Sequence, residues 1–226
     1  MTAPDATAVV PQPRFEVDRA TTTELLLIRH GRSADVRPGS AESADPGLHP
    51  DGVAQVAALA ERLATKEIDA IYSSHLQRAR LTAAALAEPR SLTVGVDVDL
   101  EEVRLGDWGN GEFRRRAAAK DPAYEAWRKT GRWDGIPGSE GDDAFRRRVR
   151  RVVDAIADRH VGQSVAVVCH GGVIGAVLAS MLAIHRSLWM TCENTSITTV
   201  RSAPDGLMVV GVNDCAHLYD PVVTTV

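Results

Sequence analysis

Four short apolar runs punctuate the chain, and each predicts a buried β-strand. Leu25–Ile28 is the first, and Ile68–Tyr72, Leu92–Val98 and Val165–Cys169 follow it. Runs of four to seven apolar residues between turn-forming residues are typical of strands covered on both faces. Two later runs, Ile197–Arg201 and Leu207–Val212, predict a hairpin that turns at residues 203–206.

Between the runs, apolar residues recur with the period of a helix. The predicted helices are about 15 residues after Pro50-Asp51-Gly52, a segment beginning near Ser74 that Ser73 and Ser74 would cap, residues 142–160, and residues 173–182. Alternation of strands and helices predicts a three-layer α/β/α sandwich, with a mostly parallel central sheet and an antiparallel edge.

Composition divides the chain into unequal parts. Residues 1–22 lack any period and predict a flexible N-terminal tail, and residues 23–226 predict a single domain. Residues 32–50 predict a loop over the rim of the sheet. A stretch rich in Gly, Trp, Arg and Asp predicts a lid insertion around residues 103–141.

Charge and cysteine content narrow the function classes. A net charge of −4, a pI near 6.0 and 4% aromatic residues argue against a nucleic-acid partner. The basic segment 145–151 has its apolar residues on a core face, so we expect its arginines to form a solvated face. Three widely spaced cysteines fit a cytoplasmic protein. We expect no secretory signal, because the first residues lack a charged start followed by an apolar stretch, and no apolar run is long enough to span a membrane.

Two predicted strands end in similar polar segments. The first continues into Arg29-His30-Gly31 and the fourth into His170-Gly171-Gly172. A single segment of this kind is explained equally well as the polar end of a strand or as part of a functional site. Two on neighbouring parallel strands would place His30 and His170 on the same rim, where ligands of α/β sheets bind. Arginine binds phosphate or carboxylate, and a neutral histidine can attack as a nucleophile.

The chain resembles the histidine phosphatase superfamily, in its phosphoglycerate mutase-like branch. The resemblance runs from about residue 24 to 219 and rests on six segments in the family's order. The six segments are Arg29-His30-Gly31 with Ser33; Leu48 with Gly52 and Gln55; Ser73-Ser74 with Leu76, Arg78-Ala79 and Thr82-Ala83; Leu100 with Glu102, Gly106 and Trp108; His170-Gly171-Gly172; and Asn194–Ile197.

The resemblance implies a role for each matching residue. His30 would be the nucleophile that becomes phosphorylated, and Glu102 would be the proton donor. Arg29, Arg78 and His170 would hold the phosphoryl oxygens. The predicted substrate-binding residues also include Gly171, Ser33 and His49. The register of the motif favours Glu102 over its neighbour Glu101.

Simple electrostatics supports these roles. Two fixed cations beside His30 would disfavour its protonation, so its free nitrogen would be available for attack. The helix starting near Ser74 would add backbone N–H donors for phosphate. Such a site needs no metal and no cofactor, since arginines neutralise the phosphoryl charge.

The prediction is a metal-independent phosphatase that acts on a phosphorylated small molecule through phosphohistidine. Phosphoglycerate mutase is the alternative within the same chemistry, and a non-catalytic phosphate-binding module is the alternative outside it. The chain departs from the family pattern at Val36, His49, Gly109-Asn110 and residues 138–141. These positions flank the predicted substrate pocket, so the sequence does not identify the substrate. It also leaves open whether the protein forms a homo-oligomer.

Overall fold

The computed structural model describes residues 19–203 and 206–219, and a six-stranded sheet organises them. The strands are β1 (Thr23–Arg29), β2 (Ala70–Ser74), β3 (Val94–Asp97), β4 (Ser164–Cys169), β5 (Ile197–Ala203) and β6 (Gly206–Asp214), in the order β3-β2-β4-β1-β5-β6. Strands β1 to β4 pair in parallel, whereas β5 pairs antiparallel with both β1 and β6.

Six α-helices accompany the strands in the part of the chain described. They are α1 (Pro50–Arg62), α2 (Gln77–Ala87), α3 (Glu112–Ala118), α4 (Pro122–Thr130), α5 (Asp142–Arg159) and α6 (Gly171–Met181). Consecutive side chains of β1 enter different cores. Leu25 and Leu27 pack with residues of α5 and α6, and Leu26 and Ile28 pack with residues of α1 and α2. This confirms the predicted three-layer sandwich, because a strand apolar on both faces needs cover on both sides.

The pairing of β1 with β4 places the two polar strand exits side by side. Arg29 is in register with Cys169, and the N–H of His30 donates to the carbonyl of Cys169 over 3.0 Å. His30 and His170 therefore follow adjacent parallel strands, as the sequence predicts.

Two predicted boundaries are wrong. Ser73 and Ser74 do not cap a helix but end β2, where both are fully buried. Helix α2 begins three residues later, at Gln77. The backbone N–H groups of a helix N-terminus, expected near Ser74, therefore lie at the start of α2 near Gln77. Helix α6 begins at Gly171 rather than 173, directly after the histidine.

The predicted lid region holds two short helices, α3 and α4. Their lengths of 7 and 9 residues are too short to give a clear helical period. Aromatic side chains join them to the body: Trp108, Trp127 and Trp133 belong to the same core as Phe145 of α5. The segment is thus packed against α5, and the single domain with a lid insertion stays a prediction.

Part of the predicted tail lies outside the described residues, namely residues 1–18. Within the remainder, Arg19–Thr21 form one 3-10 turn and Thr22 is buried. The residues 204–205 of the predicted hairpin turn and residues 220–226 also lie outside the described part.

Candidate active site

The carboxyl edge of the sheet opens into a cavity of about 450 Å³. Four of the five predicted catalytic residues line it: Arg29 and His30 at the end of β1, Arg78 in the first turn of α2, and Glu102 in the segment after β3. His170 is fully buried beside them, with its ring centroid 4.9 Å from that of His30. The fold therefore collects residues that are up to 141 positions apart in the chain.

The partners of His30 define its tautomer. Its Nδ1 lies 2.7 Å from the carbonyl oxygen of Gly31, which can only accept, so Nδ1 carries the proton. The Nε–H of Arg78 donates to Nε2 of His30 over 3.1 Å, so Nε2 holds a lone pair, which is directed at this guanidinium. The ring is thus neutral, with the nitrogen suited to attack facing the substrate space.

The pKa of His30 lies well below its ordinary value, first because the ring is buried and then because Arg78 is nearby. Arg29 and Arg114 act in the same direction, and the hydrogen bond to Gly31 opposes them. The expected effect of the two cations is present, but the sequence analysis missed burial, which is the larger cause.

His170 is held on both ring nitrogens. Nη2 of Arg78 lies 3.3 Å from Nδ1, and Oγ of Ser74 lies 3.0 Å from Nε2. Burial, followed by the charges of His30 and Arg78, holds the pKa of His170 well below its ordinary value. One guanidinium therefore contacts both imidazoles of the site.

Arg29 is anchored at one end of its guanidinium. Its Nη1 donates to the carbonyl of Cys192, whereas its buried Nε–H has no hydrogen-bond partner among the described residues. The backbone around it is fixed by the segment before β5: Thr195 N–H donates to the Arg29 carbonyl over 2.9 Å, and Asn194 Nδ2 donates to the His30 carbonyl over 2.8 Å. An orphaned, positioned N–H donor fits an anion.

Glu102 rests on the N-terminus of α6. Its Oε2 accepts from the N–H of Gly172 over 3.1 Å, and its Oε1 accepts from the N–H of Val103 over 3.0 Å. A Cβ on residue 172 would lie 2.1 Å from Oε1, so only glycine allows this approach. Glu101 instead pairs with Arg104, which leaves Glu102 as the carboxylate at the N-terminus of α6.

Arg148 corrects the prediction of a solvated arginine face on α5. It is only 6% exposed and forms an ion pair with Glu140. Its Nη1 also donates to the carbonyls of Asp99 and Glu101, over 2.8 and 3.1 Å. Arg148 thus ties α5 to the segment that carries Glu102, whereas Arg151 is exposed as expected.

Ser33 lines the cavity, and an arginine of α3 contacts it. Nη2 and Nη1 of Arg114, in α3, donate to Ser33 Oγ over 2.9 Å and to the Ala34 carbonyl over 3.0 Å. No carboxylate of the described residues pairs with Arg114, although its neighbours Arg115 and Arg116 both pair with Glu112. Arg114 could not be singled out from the sequence, since a run of three arginines on a short helix gives no sign of which one faces a cavity.

The other two predicted substrate-binding residues lie outside the cavity lining. His49 caps α1, where its Nδ1 accepts from the Asp51 N–H over 3.1 Å. Gly171 is the first residue of α6 and packs beside Arg29, whose Nε would lie 3.7 Å from an added Cβ.

The described residues hold no group of three or more His, Cys, Asp or Glu side chains placed to bind a metal ion. Cys169, Cys192 and Cys215 are free thiols. Within the part of the chain described, no helix has the length and apolar character needed to cross a bilayer.

Comparison with known proteins finds a family model, relatives and solved structures similar to this chain. The model of the histidine phosphatase superfamily (branch 1) matches residues 25–215. A metal-independent phosphoserine phosphatase of Arabidopsis thaliana is 32% identical over 87% of this chain and 83% of its own. A mycobacterial glucosyl-3-phosphoglycerate phosphatase superposes with a TM-score of 0.69 at 27% identity, covering 85% of this chain and 99% of its own.

A phosphoglycerate mutase from Bacillus anthracis superposes with a TM-score of 0.74 over 88% of this chain and 96% of its own. Its sequence identity is 21%, so this likeness concerns the fold.

Proposed function

Because the chain belongs to branch 1 of the histidine phosphatase superfamily, we propose that it hydrolyses a phosphomonoester through a phosphohistidine on His30. Arg29, Arg78 and His170 bind the phosphoryl oxygens, and Glu102 serves as proton donor. The observation that carries these assignments is the guanidinium of Arg78, which contacts Nε2 of His30 and Nδ1 of His170 at once. It places a fixed cation where a phosphoryl group would meet the nucleophile.

The reaction follows from the directions of these groups. The phosphoryl oxygens take the N–H donors of Arg29 and Arg78, which frees the lone pair of Nε2. Nε2 attacks phosphorus, the bond to the leaving oxygen breaks, and Glu102 gives that oxygen a proton. Water then attacks the phosphohistidine, Glu102 takes a proton from it, and inorganic phosphate leaves with His30 restored.

We further propose that the substrate is a small phosphorylated carboxylic acid. Arg114 lies at the cavity with only neutral oxygen partners among the described residues, so it can bind a second anionic group. The adjacent wall is aromatic, formed by Trp108, Phe113 and Trp133. Phosphoserine and glucosyl-3-phosphoglycerate, the substrates in the names of two relatives, both carry a carboxylate.

The covalent intermediate provides the test. Rapid acid-free quenching with ³²P-labelled substrate should yield a base-stable, acid-labile adduct on wild-type protein and none on His30→Ala. The panel comprises phosphoserine, phosphoglycerates, sugar phosphates, nucleotides and phosphopeptides. We expect phosphate release that EDTA leaves unchanged. Turnover without label on residue 30 would overturn the mechanism.

Two alternatives from the sequence correspond to other outcomes of this assay. Interconversion of phosphoglycerates without phosphate release would identify a mutase. Saturable phosphate binding with no turnover of any ester would identify a binding module. The cytoplasmic location stays a prediction from the cysteine usage.

A further inference from the structure

The two partners of His170 determine which of its nitrogens carries the proton. The guanidinium of Arg78 can only donate, so Nδ1, which lies 3.3 Å from Nη2, holds a lone pair. The proton of the neutral ring is then on Nε2, which lies 3.0 Å from Oγ of Ser74. Ser74 therefore accepts this proton's hydrogen bond.

We propose that Ser74 is a positioning residue whose hydroxyl accepts the Nε2 proton of His170 and keeps Nδ1 facing the phosphoryl site. The inference rests on the proposed function. Ser74 suits this role because it is fully buried at the end of β2 and its Oγ also accepts from the N–H of Leu76 over 3.3 Å. Both donors point at the same oxygen, which fixes its lone pairs.

Substrate binding changes what His170 must do. Once the phosphoryl oxygens take the donors of Arg78, Nδ1 faces an anion and must itself donate. The ring gains this proton from the phosphomonoester monoanion or from solvent and becomes an imidazolium with one N–H on phosphate and one on Ser74. No bond to carbon or phosphorus changes in this step.

The surroundings of His170 make the serine acceptor important. The charged and titratable groups that act on it are Arg29 at the end of β1, His30 directly after it, Arg78 of α2 and His75 between β2 and α2. Glu102 contacts the N-terminus of α6, the helix that follows His170. Most of these oppose a positive charge on the ring. Without the serine oxygen, Nε2–H would be buried without a partner, which would disfavour the imidazolium further.

Adjacent serines of β2 offer a matched pair of variants. Ser73 is as deeply buried, but its Oγ donates to the Ser74 carbonyl over 2.8 Å, and no contact joins it to His170. We expect Ser74→Ala to lower kcat about 10- to 100-fold, the effect of losing a hydrogen bond to a charged group. Because the imidazolium of the complex becomes less stable, the basic limb of the kcat profile should move to lower pH. Ser73→Ala should retain the wild-type profile, and Ser74→Thr should restore most of it.

A measurement without turnover separates this inference from the proposed function. ¹⁵N NMR of the phosphate-free protein should place the His170 proton on Nε2 in wild type and Ser73→Ala, and the Nε2–H proton resonance should move upfield in Ser74→Ala, where its hydrogen-bond acceptor is lost. A wild-type proton on Nδ1 would overturn the inference, as would equal kcat profiles for the two alanine variants. If Ser74→Ala does not fold, the wild-type tautomer and the Ser74→Thr profile decide the question. An enzyme inactive on every ester would refute the function and leave the NMR test valid.

Discussion

The Nε–H of Arg78 donates to Nε2 of His30 across 3.1 Å, so the guanidinium covers the lone pair that must attack phosphorus. Free enzyme is thus held with its nucleophile neutral and hydrogen-bonded to the cation that will bind the phosphoryl group. Substrate can expose the lone pair only by taking this N–H donor for itself.

The first prediction concerns this pair. Removing the cation in Arg78→Met should raise the pKa of His30 towards its ordinary value, although burial continues to lower it. More of the ring is then protonated in mild acid, so the acidic limb of kcat/KM should move to higher pH. The turnover rate should also fall about 100-fold or more, because a phosphoryl donor is lost. Arg80→Met, an exposed change on the same helix, should alter neither. An acidic limb that does not move would show that burial alone governs His30.

The second prediction tests the placement of Glu102. In Gly172→Ala the new Cβ would lie 2.1 Å from Oε1, so the carboxylate must leave its position. We expect kcat to fall about 100-fold for an alkyl phosphate, within the range for general acid catalysis. The loss for p-nitrophenyl phosphate should be much smaller, because that leaving group departs without a proton.

Gly171→Ala provides the comparison for Gly172→Ala. It adds the same methyl group where the nearest of the contacts is at 3.7 Å, an ordinary packing distance. Its effect should be far smaller and should not depend on the leaving group. Equal losses in the two variants would point to a disturbed helix rather than a displaced Glu102.

The third prediction concerns Arg148. Arg148→Met removes the partner of the partly buried Glu140 and the donors to two carbonyls near Glu102. We expect the free energy of unfolding to fall by about 3–5 kcal/mol, as for other broken buried ion pairs. Arg151→Met on the same helix breaks an exposed pair and should cost less than about 1 kcal/mol. Urea denaturation measures both, and equal midpoints would contradict a structural role for Arg148.

The fourth prediction concerns the contact of Arg114 with a carboxylate on the substrate's leaving group. Arg114→Ala should raise KM about 10- to 100-fold for a phosphomonoester with a carboxylate, because a charge-assisted hydrogen bond is lost. For phenyl phosphate the change should be less than about threefold. Arg115→Ala, whose side chain pairs with Glu112 instead, should leave both substrates nearly unaffected. A similar loss on both substrates would mean that Arg114 only links the lid to Ser33.

Sequence patterns predicted most of the fold and the convergence of His30 and His170 at one edge of the sheet. The polar residues after β1 and β4 could be placed together because adjacent parallel strands end at one edge. The start of α2 was missed because Ser73 and Ser74 resemble helix caps, yet pairing with β3 and β4 keeps them in the sheet. Arg148 was missed because a helical charge pattern contains no information on carbonyls about 50 positions away.

The sequence by itself determined that β1 and β4 need cover on both faces, since their side chains are apolar throughout, and that both strands end in a histidine. Only the tertiary structure decided which tautomer each histidine adopts, and which of the adjacent carboxylates, Glu101 or Glu102, reaches the N-terminus of α6. The physical reason is that burial follows from local pattern, whereas the partner of a polar side chain depends on packing between distant segments.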